Sequence, residues 1–215
     1  MKSLKTRLDV ILRELTKLYP EARPELTFSN PFETLIATML SAQCTDKRVN
    51  MVTATLFQDY PDAESMSKVP LDVLEERIKP CGLYHMKAKH ILEACQAICE
   101  QYGGNVPQTR EELTRLPGVG NKTAAVVAMA AYGADVLPVD THVFRLAHRL
   151  DLVKDAKTPD EVERQLTAIV PQGERAHMHH LLIWHGRRMC KAIKPDCAAC
   201  PLHTGACNYD AGKKQ

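Results

Sequence analysis

A lysine and an aspartate stand 18 residues apart in sequence contexts that suit chemistry. Lys122 follows the turn Leu116-Pro117-Gly118-Val119-Gly120-Asn121, and Asp140 lies within Val139-Asp140-Thr141-His142. A lysine in the first turn of a helix faces the positive end of the helix dipole, which is unfavourable for an ammonium group. A neutral amine is the form that a Schiff-base nucleophile requires, although a contact with a phosphate explains a lysine here equally well.

Asp140 directly precedes a predicted helix that begins at Thr141, so its carboxylate is a candidate N-cap. Capping is sufficient to explain the residue. A carboxylate fixed in this way can also stabilise a developing cation or orient an attacking water. The residue type and its position therefore leave both roles open.

Four cysteines near the C-terminus form a third set of reactive residues, separated by spacers of six, two and six: Cys190, Cys197, Cys200 and Cys207. Four thiolates suit either a zinc ion or a 4Fe–4S cluster. Structural zinc sites usually contain two Cys-x₂₋₄-Cys pairs, and only Cys197 and Cys200 form one here, so the spacing mildly disfavours zinc. Cys95 and Cys99 are expected to be small apolar core residues.

Helices must position these residues, because no segment shows the period-two alternation of a strand. The pattern predicts an all-α protein of about ten helices joined by short loops. The clearest helix starts are Asn30-Pro31-Phe32-Glu33 and Thr158-Pro159-Asp160-Glu161, where a cap, a proline and a glutamate occupy their preferred positions. Thr109 with Glu112 fits a capping box.

The glycine turn before Lys122 is the central element of this helical pattern. Pro117 ends the preceding helix because it has no N–H to donate, and Gly118 and Gly120 can adopt positive φ without a Cβ clash, which allows a sharp turn. A new helix is predicted to open at Lys122, with small residues on its buried face: Ala124, Val127, Ala128 and Ala131. Its first N–H groups point outward and suit a phosphate oxygen.

Composition is that of an ordinary soluble globular protein, with 45% hydrophobic and 25% charged residues in 215. No segment approaches the roughly 20 apolar residues of a membrane helix, and the N-terminus leads into an amphipathic helix, so we expect no membrane association and a cytoplasmic location. The net charge of +2 divides into +3 for residues 1–20, +4 for 181–215 and −5 between them. The two basic ends form either one basic face or two solvated tails.

Taken together, the lysine and aspartate motifs resemble the helix-hairpin-helix-GPD superfamily of DNA glycosylases, most closely its bacterial members. The resemblance covers almost the whole chain. It includes three further segments, which are Leu40-Ser41-Ala42-Gln43 with Thr45-Asp46, Gly82-Leu83-Tyr84 with Lys87-Ala88, and His185-Gly186-Arg187.

The resemblance implies a two-domain, all-α glycosylase fold with a C-terminal iron–sulfur loop. Residues 24–134 would form a helical barrel-like domain that contains the hairpin. Residues 1–23 and 135–215 would form a discontinuous second domain that carries the cluster. Duplex DNA would bind in the cleft between them, where Lys122 and Asp140 would face each other.

The activity that the resemblance implies is that of a bifunctional DNA glycosylase and AP lyase in base-excision repair. Lys122 would attack C1′ of an oxidised pyrimidine nucleotide, expel the base and cut the strand by β-elimination through a Schiff base. Asp140 would assist departure of the base or proton transfer. The substrate would be duplex DNA with damaged pyrimidines or abasic sites, and the protein a monomer at the bacterial nucleoid.

Further roles follow from the same resemblance. Gln43 and Leu83 match residues that fill the gap left by the extruded nucleotide. The remaining implied DNA contacts are Gly118, Gly120, Thr123, His142, Arg187 and Lys191. The four C-terminal cysteines would hold a 4Fe–4S cluster, and Cys207 is kept as a ligand although the family's last spacer is usually five residues and here is six.

Two alternatives remain. A monofunctional glycosylase of the same fold, such as the adenine-mismatch type, lacks the lysine at this position and carries an extra C-terminal domain. A non-enzymatic DNA-binding module with a structural metal would use Lys122 only as a phosphate contact and Asp140 only as a cap.

Overall fold

A computed structural model of the protein describes residues 3–203, 205–207 and 209. Those residues contain a 3₁₀ helix at Lys79–Cys81 and no strand, which confirms the predicted all-α class. No helix among them is both long enough and apolar enough to cross a bilayer. The α-helices are α1 (Leu4–Leu18), α2 (Pro31–Leu40), α3 (Asp46–Asp59), α4 (Ala63–Ser67), α5 (Leu71–Ile78), α6 (Tyr84–Tyr102), α7 (Arg110–Leu113), α8 (Asn121–Tyr132), α9 (Thr141–Arg149), α10 (Pro159–Ile169) and α11 (Arg175–Arg188).

The chain divides into two compact units, each with its own hydrophobic core. The first, called here the hairpin unit, comprises Pro24–Ala134. The second, called the cysteine unit, comprises Met1–Arg23 and Asp135–Gln215.

The core of the hairpin unit is built around α2, which packs against α3, α6 and α8. Every residue of α2 except Pro31 and Glu33 is buried. The predicted small residues of α8 face this core, with Ala124, Val127 and Ala128 buried and Ala131 packed against the cluster. Small side chains on α8 allow its backbone to lie close to α2, while α6 packs against α4 and α5.

The core of the cysteine unit is built around the pairing of α9 with α11, and α1 packs against α11. Leu8, Ile11 and Leu15 lie at i, i+3 and i+7 on α1 and are buried in this core. Helix α10 packs against α9. Leu137 and Val139, in the loop before α9, are buried in the same core.

The helix starts predicted from capping signals are confirmed. The Asn30 side chain accepts a hydrogen bond of 2.9 Å from the backbone N–H of Glu33. Thr109 and Thr158 each form a complete capping box with the glutamate three residues later. Such signals are readable in sequence because the cap and the N–H that it satisfies lie within one turn.

One predicted boundary was wrong by one residue, because helix α8 begins at Asn121 rather than Lys122. Helix α6 begins at Tyr84, directly after Leu83, which adopts a left-handed conformation and serves as the N-cap. Helix α4 has only five residues, which are too few to show helical periodicity in a sequence.

Candidate active site

The glycine turn of the hairpin unit is held by apolar anchors on both sides. Leu116 and Val119 are buried, and the N–H of Val119 donates to the carbonyl of Leu116 at 3.1 Å. Gly118 has φ of +73°, and a Cβ at this position would lie 2.6 Å from the Cβ of His90 on α6. Both the backbone conformation and the contact with His90 therefore require glycine at 118.

Gly120 does not use the positive φ that glycine permits. Its φ is −85° and its ψ is 173°, so it is extended rather than left-handed, and a Cβ there would meet no atom within 4 Å. Gly120 is the N-cap of α8 and offers no side chain to the N–H groups of the first turn, which have no acceptor within the helix. The absence of a capping side chain at Gly120 leaves those N–H groups accessible to an anion.

Lys122 and Thr123 are the second and third residues of this open helix end. Lys122 is exposed and Thr123 is partly buried. The helix start is rigidly supported, because the residue that follows, Ala124, is fully buried against the core of the unit. The structure thus presents the predicted nucleophile on an exposed and firmly held turn.

Asp140, in the cysteine unit, is the N-cap of α9. Its Oδ1 accepts hydrogen bonds from the backbone N–H groups of His142 at 2.9 Å and Val143 at 2.8 Å. Both bonds use the same carboxylate oxygen, so Oδ2 takes no part in the cap. Oδ1 fixes the side chain, and this also fixes the direction in which Oδ2 points. Asp140 can therefore cap α9 with Oδ1 and take part in a reaction with Oδ2.

Helix α11 fixes the backbone that leads into Asp140. His179 is buried and its Nδ1 donates to the carbonyl of Pro138 at 2.8 Å. Arg175 donates to the carbonyl of Asp135 at 3.2 Å and forms an ion pair of 3.1 Å with the carboxylate of the same residue. The sequence gave no sign of these contacts of His179 and Arg175, because nothing in a helical sequence shows which loop carbonyl its side chains will reach.

His142, a predicted DNA contact, lies in the first turn of α9 and is partly buried. Its Nδ1 lies 3.2 Å from Nη2 of Arg145. A guanidinium group can only donate, so Nδ1 of His142 is the acceptor, and in the neutral ring the proton is on Nε2. Burial lowers the pKa of His142, which favours this neutral form.

Gln43 and Leu83 occupy turns of the hairpin unit, and both are exposed residues with positive φ. Gln43 has φ of 55° in the loop between α2 and α3. Leu83 has φ of 50°, follows Gly82 directly and exposes 57% of its surface. A left-handed backbone costs a non-glycine residue about 1–2 kcal/mol, so the fold holds both side chains outward at an energetic cost.

The four C-terminal cysteines lie in the cysteine unit and line one cavity together with apolar residues that include Leu150 and Met189. Cys207 lies on this cavity with the other three, and the backbone N–H groups of Ala206 and Cys207 both return to the carbonyl of Leu202. Burial raises the pKa of the Cys200 and Cys207 thiols. Within the described part of the chain, no group of three or more donors is placed to hold a single metal ion.

Two arginines of α9 hold the segment that enters this cavity. Arg145 donates to the carbonyls of Gly186 at 2.9 Å and Cys190 at 3.0 Å. Arg149 donates to the carbonyl of Lys191 at 2.7 Å and to the Cys190 sulfur at 3.4 Å. The sequence gave no sign of these contacts, which join residues more than 40 positions apart.

The predicted phosphate contacts of this unit are on its surface. Arg187 and Lys191 are exposed, one in the last turn of α11 and the other directly after Cys190. His185, which also lies in the last turn of α11, is buried, and its Nδ1 lies 3.1 Å from the Tyr19 hydroxyl. Burial lowers the pKa of His185 to about 4, so its ring is neutral and adds no charge to this surface.

Comparison with known proteins places these features in a family. Residues 36–172 match the HhH-GPD superfamily base excision DNA repair protein family. Endonuclease III of Bacillus subtilis (strain 168) is 47% identical over 196 residues, which are 91% of this chain and 90% of that protein. A solved non-covalent endonuclease III–DNA complex is similar at a TM-score of 0.91 with 44% identity, covering 97% of this chain and 96% of that one. A trapped endonuclease III–DNA covalent intermediate, an estranged-adenine complex, has a TM-score of 0.90 with 44% identity and 97% coverage of both chains.

The all-helical fold and the matched segment define the class of this protein. The chain belongs to the HhH-GPD superfamily of base excision DNA repair proteins. Within that superfamily it is similar to endonuclease III over nine-tenths of its length. The family resemblance drawn from the lysine and aspartate motifs is therefore confirmed.

Replacing Gly118 by alanine is expected to destabilise the hairpin unit. Alanine at 118 would have to adopt a left-handed backbone, and its Cβ would lie closer to the His90 side chain than van der Waals contact allows. The free energy of unfolding should therefore fall by about 1–3 kcal/mol. Gly120→Ala is the matched control, since its backbone is extended and its surroundings are open, and it should cost less than about 1 kcal/mol. Urea unfolding of both variants measures the difference, and equal losses would show that the two glycines are equivalent.

Proposed function

We propose that the protein is a bifunctional DNA glycosylase and AP lyase that removes oxidised pyrimidines from duplex DNA and then cleaves the strand. The observation that carries the proposal is the exposed Lys122 on the uncapped first turn of α8. Support comes from the 44% identity with an endonuclease III that was trapped as a covalent intermediate with DNA. A lysine amine is one of the side-chain nucleophiles that can form such a covalent intermediate, since it gives a Schiff base with a sugar aldehyde.

In the first step, Nζ of Lys122 forms a bond to C1′ of the damaged nucleotide while the bond from C1′ to the base breaks. The base leaves with the electron pair of that bond and is protonated. Opening of the sugar gives a protonated Schiff base, which withdraws electrons from C2′. Loss of a C2′ proton then expels the 3′ phosphate, which is β-elimination, and water later hydrolyses the Schiff base to release the lysine.

Asp140 assists this chemistry through the carboxylate oxygen that the cap does not use. Oδ1 is committed to the N–H groups of His142 and Val143, and this fixes the direction of Oδ2. A fixed negative charge stabilises the positive charge that develops on the sugar as the base departs, and it can accept a proton from the attacking amine.

The target nucleotide must leave the duplex, because C1′ cannot be reached within the stack. The exposed side chains of Gln43 and Leu83 fill the gap, and Leu83 acts as an apolar wedge. The open helix end at Gly118, Gly120 and Thr123 binds a backbone phosphate. The remaining DNA contacts that we propose are His142, Arg187 and Lys191, and such phosphate contacts make binding strongly dependent on salt.

A 4Fe–4S cluster fits the cysteine cavity better than a single metal ion. Thiolates are the ligands that such clusters require. The four cysteines, Cys190, Cys197, Cys200 and Cys207, share one cavity, whose lining also includes Leu150, Met189, His185, Asp196 and His203. When bound, the cluster would supply iron–thiolate bonds that join residues 190–207 into one rigid loop. This chain's own Arg145 and Arg149 already hold the carbonyls at the start of that loop.

The setting of the enzyme follows from the proposed activity. The proposal assigns one role to Lys122 and one role to Asp140. A glycosylase that recognises one damaged nucleotide needs a single copy of each residue, so we propose that it acts as a monomer. Its substrate is chromosomal DNA, which in a bacterium is the nucleoid in the cytoplasm.

Borohydride trapping on duplex DNA that contains thymine glycol tests the role of Lys122. The native protein should give a covalent protein–DNA adduct, and Lys122→Ala should lose adduct formation by at least about 10³-fold, because no other group replaces a missing nucleophile. Lys5→Ala is the matched control, since Lys5 is also an exposed second residue of an α-helix.

Two results would contradict this proposal. If the native protein releases the base without forming an adduct, it is a monofunctional glycosylase. If it binds DNA and does neither, with several damaged bases tried, it is a binding module in which Lys122 contacts a phosphate.

Two substitutions at Asp140 separate capping from chemistry. The amide of Asp140→Asn can still accept both N–H groups of α9, so its unfolding free energy should stay within about 0.5 kcal/mol of the native value, whereas Asp140→Ala should lose about 1 kcal/mol. The single-turnover rate of base release should fall by about 10²-fold or more in both variants. A fully active Asp140→Asn enzyme would leave the residue with capping alone.

Iron and sulfide analysis of protein purified without oxygen tests the cluster. We expect about four iron atoms per chain and broad absorption in the violet–blue, both reduced in Cys200→Ser. Cys99→Ser is the control, because Cys99 is packed against the core of the other unit. One zinc per chain with no iron and no colour would replace the cluster by a structural zinc site.

A further inference from the structure

Lys87 is a buried cation inside the hairpin unit. It exposes 7% of its surface and lies on the inner face of α6. The other buried residues of that helix are small or apolar: Ala88, Ile91, Ala94, Cys95 and Ile98. A lysine at a core position has lost most of its hydration, and burial accordingly lowers the pKa of Lys87. Something must compensate this loss.

Two backbone carbonyls provide the compensation. Nζ of Lys87 donates to the carbonyl of Leu40 at 2.8 Å and to the carbonyl of Cys81 at 2.9 Å. Leu40 ends α2 and Cys81 ends the 3₁₀ helix, so both carbonyls belong to helix ends where no intrahelical donor remains. A cation at the C-terminus of a helix is also favoured by the helix dipole.

The thiol of Cys81 is not the partner of this cation. Cys44 and Cys81 are close enough to influence Lys87, and a thiolate would stabilise an ammonium group. Burial, however, raises the pKa of the Cys81 thiol to about 11, so that it is neutral at physiological pH. The bonds to the two carbonyls are therefore what holds Lys87 in the core.

These carbonyls begin the two segments that carry the exposed, left-handed residues. Leu40 lies three residues before Gln43, and Cys81 lies two residues before Leu83. The two segments are far apart in sequence, and the ammonium group bonds to the start of each. One buried side chain thus sets the separation of the two turns at their base.

We propose that Lys87 is a positioning residue for nucleotide extrusion, which joins the turns of Gln43 and Leu83 so that both enter the duplex together. The inference rests on the proposed function, because it assigns those two side chains to the gap in the DNA. Lys87 itself touches neither the substrate nor the reacting atoms.

Stability alone does not explain a lysine at this position. Burying a charge costs several kcal/mol before its hydrogen bonds are counted, and apolar residues of similar volume often replace buried charges without loss of stability. A methionine of similar length would fill the same space but could not bond to either carbonyl. What lysine adds over methionine is the pair of hydrogen bonds that fixes the distance between the two turns.

The test compares Lys87→Met with the native protein on two duplexes, one with thymine glycol opposite adenine and one with thymine glycol opposite an abasic-site analogue. Extrusion is easier from the second duplex because the damaged base is unpaired. We expect the single-turnover rate of base release to fall about ten- to hundredfold on the paired duplex and to stay within about twofold on the unpaired one. Lys89→Met is the matched control, an exposed lysine on the same helix.

Hydrogen exchange supplies a second readout that does not require activity. Amide exchange should become faster in residues 41–45 and 81–84 of Lys87→Met and remain unchanged elsewhere in the hairpin unit. If Lys87→Met does not fold, Lys87→Gln replaces it, since its amide can still donate to one carbonyl. An equal fall in rate on both duplexes, or unchanged exchange in the two segments, would overturn the proposal.

A different result would show that the proposed glycosylase function is wrong. In that case the native protein would release no base from either duplex. Faster exchange confined to the two segments would still support the structural role of Lys87, and unchanged exchange would overturn it.

Discussion

Helix ends leave backbone N–H and C=O groups without partners, and the functional features of this protein are the ways in which those groups are satisfied. At the start of α9, the carboxylate of Asp140 accepts from two of the free N–H groups. At the end of α2, Lys87 donates to the carbonyl of Leu40. Near the end of α11, Arg145 donates to the carbonyl of Gly186. A fold composed of short helices has many such ends, so its chemistry is concentrated at them.

The start of α8 differs from these because its cap is a glycine without a side chain. An exposed helix start with free N–H groups remains stable in water, which can hydrate them, and an anion can later displace that water. The neighbouring glycine, Gly118, makes this possible by turning the chain through a left-handed conformation close against His90. Both glycines therefore keep the start of α8 open. Gly118 does so because its backbone can adopt a left-handed conformation, and Gly120 does so because it has no side chain to cap the helix.

Which of these features could be predicted depended on how far apart the partners lie in sequence. The caps at Asn30, Thr109 and Thr158 were predicted because donor and acceptor are three residues apart. The contact of Lys87 with Leu40 spans 47 residues and depends on how α6 packs beside α2, so local signals could not reveal it. Helical periodicity did contain a hint, since a lysine on the apolar face of α6 implies a buried acceptor. The sequence left the φ of Gly120 undecided, because glycine permits a left-handed backbone without requiring it.

Because several cationic side chains are used to satisfy backbone carbonyls, the net charge of +2 says little about affinity for DNA. Lys87, Arg145 and Arg149 all donate to backbone carbonyls. Lys87 is buried, and Arg149 also donates to the Cys190 sulfur. A formal charge count includes these three cations, although their side chains hold the backbone. The cations that bear on affinity for DNA are the exposed ones, such as Arg187 and Lys191, because phosphates are met at the surface.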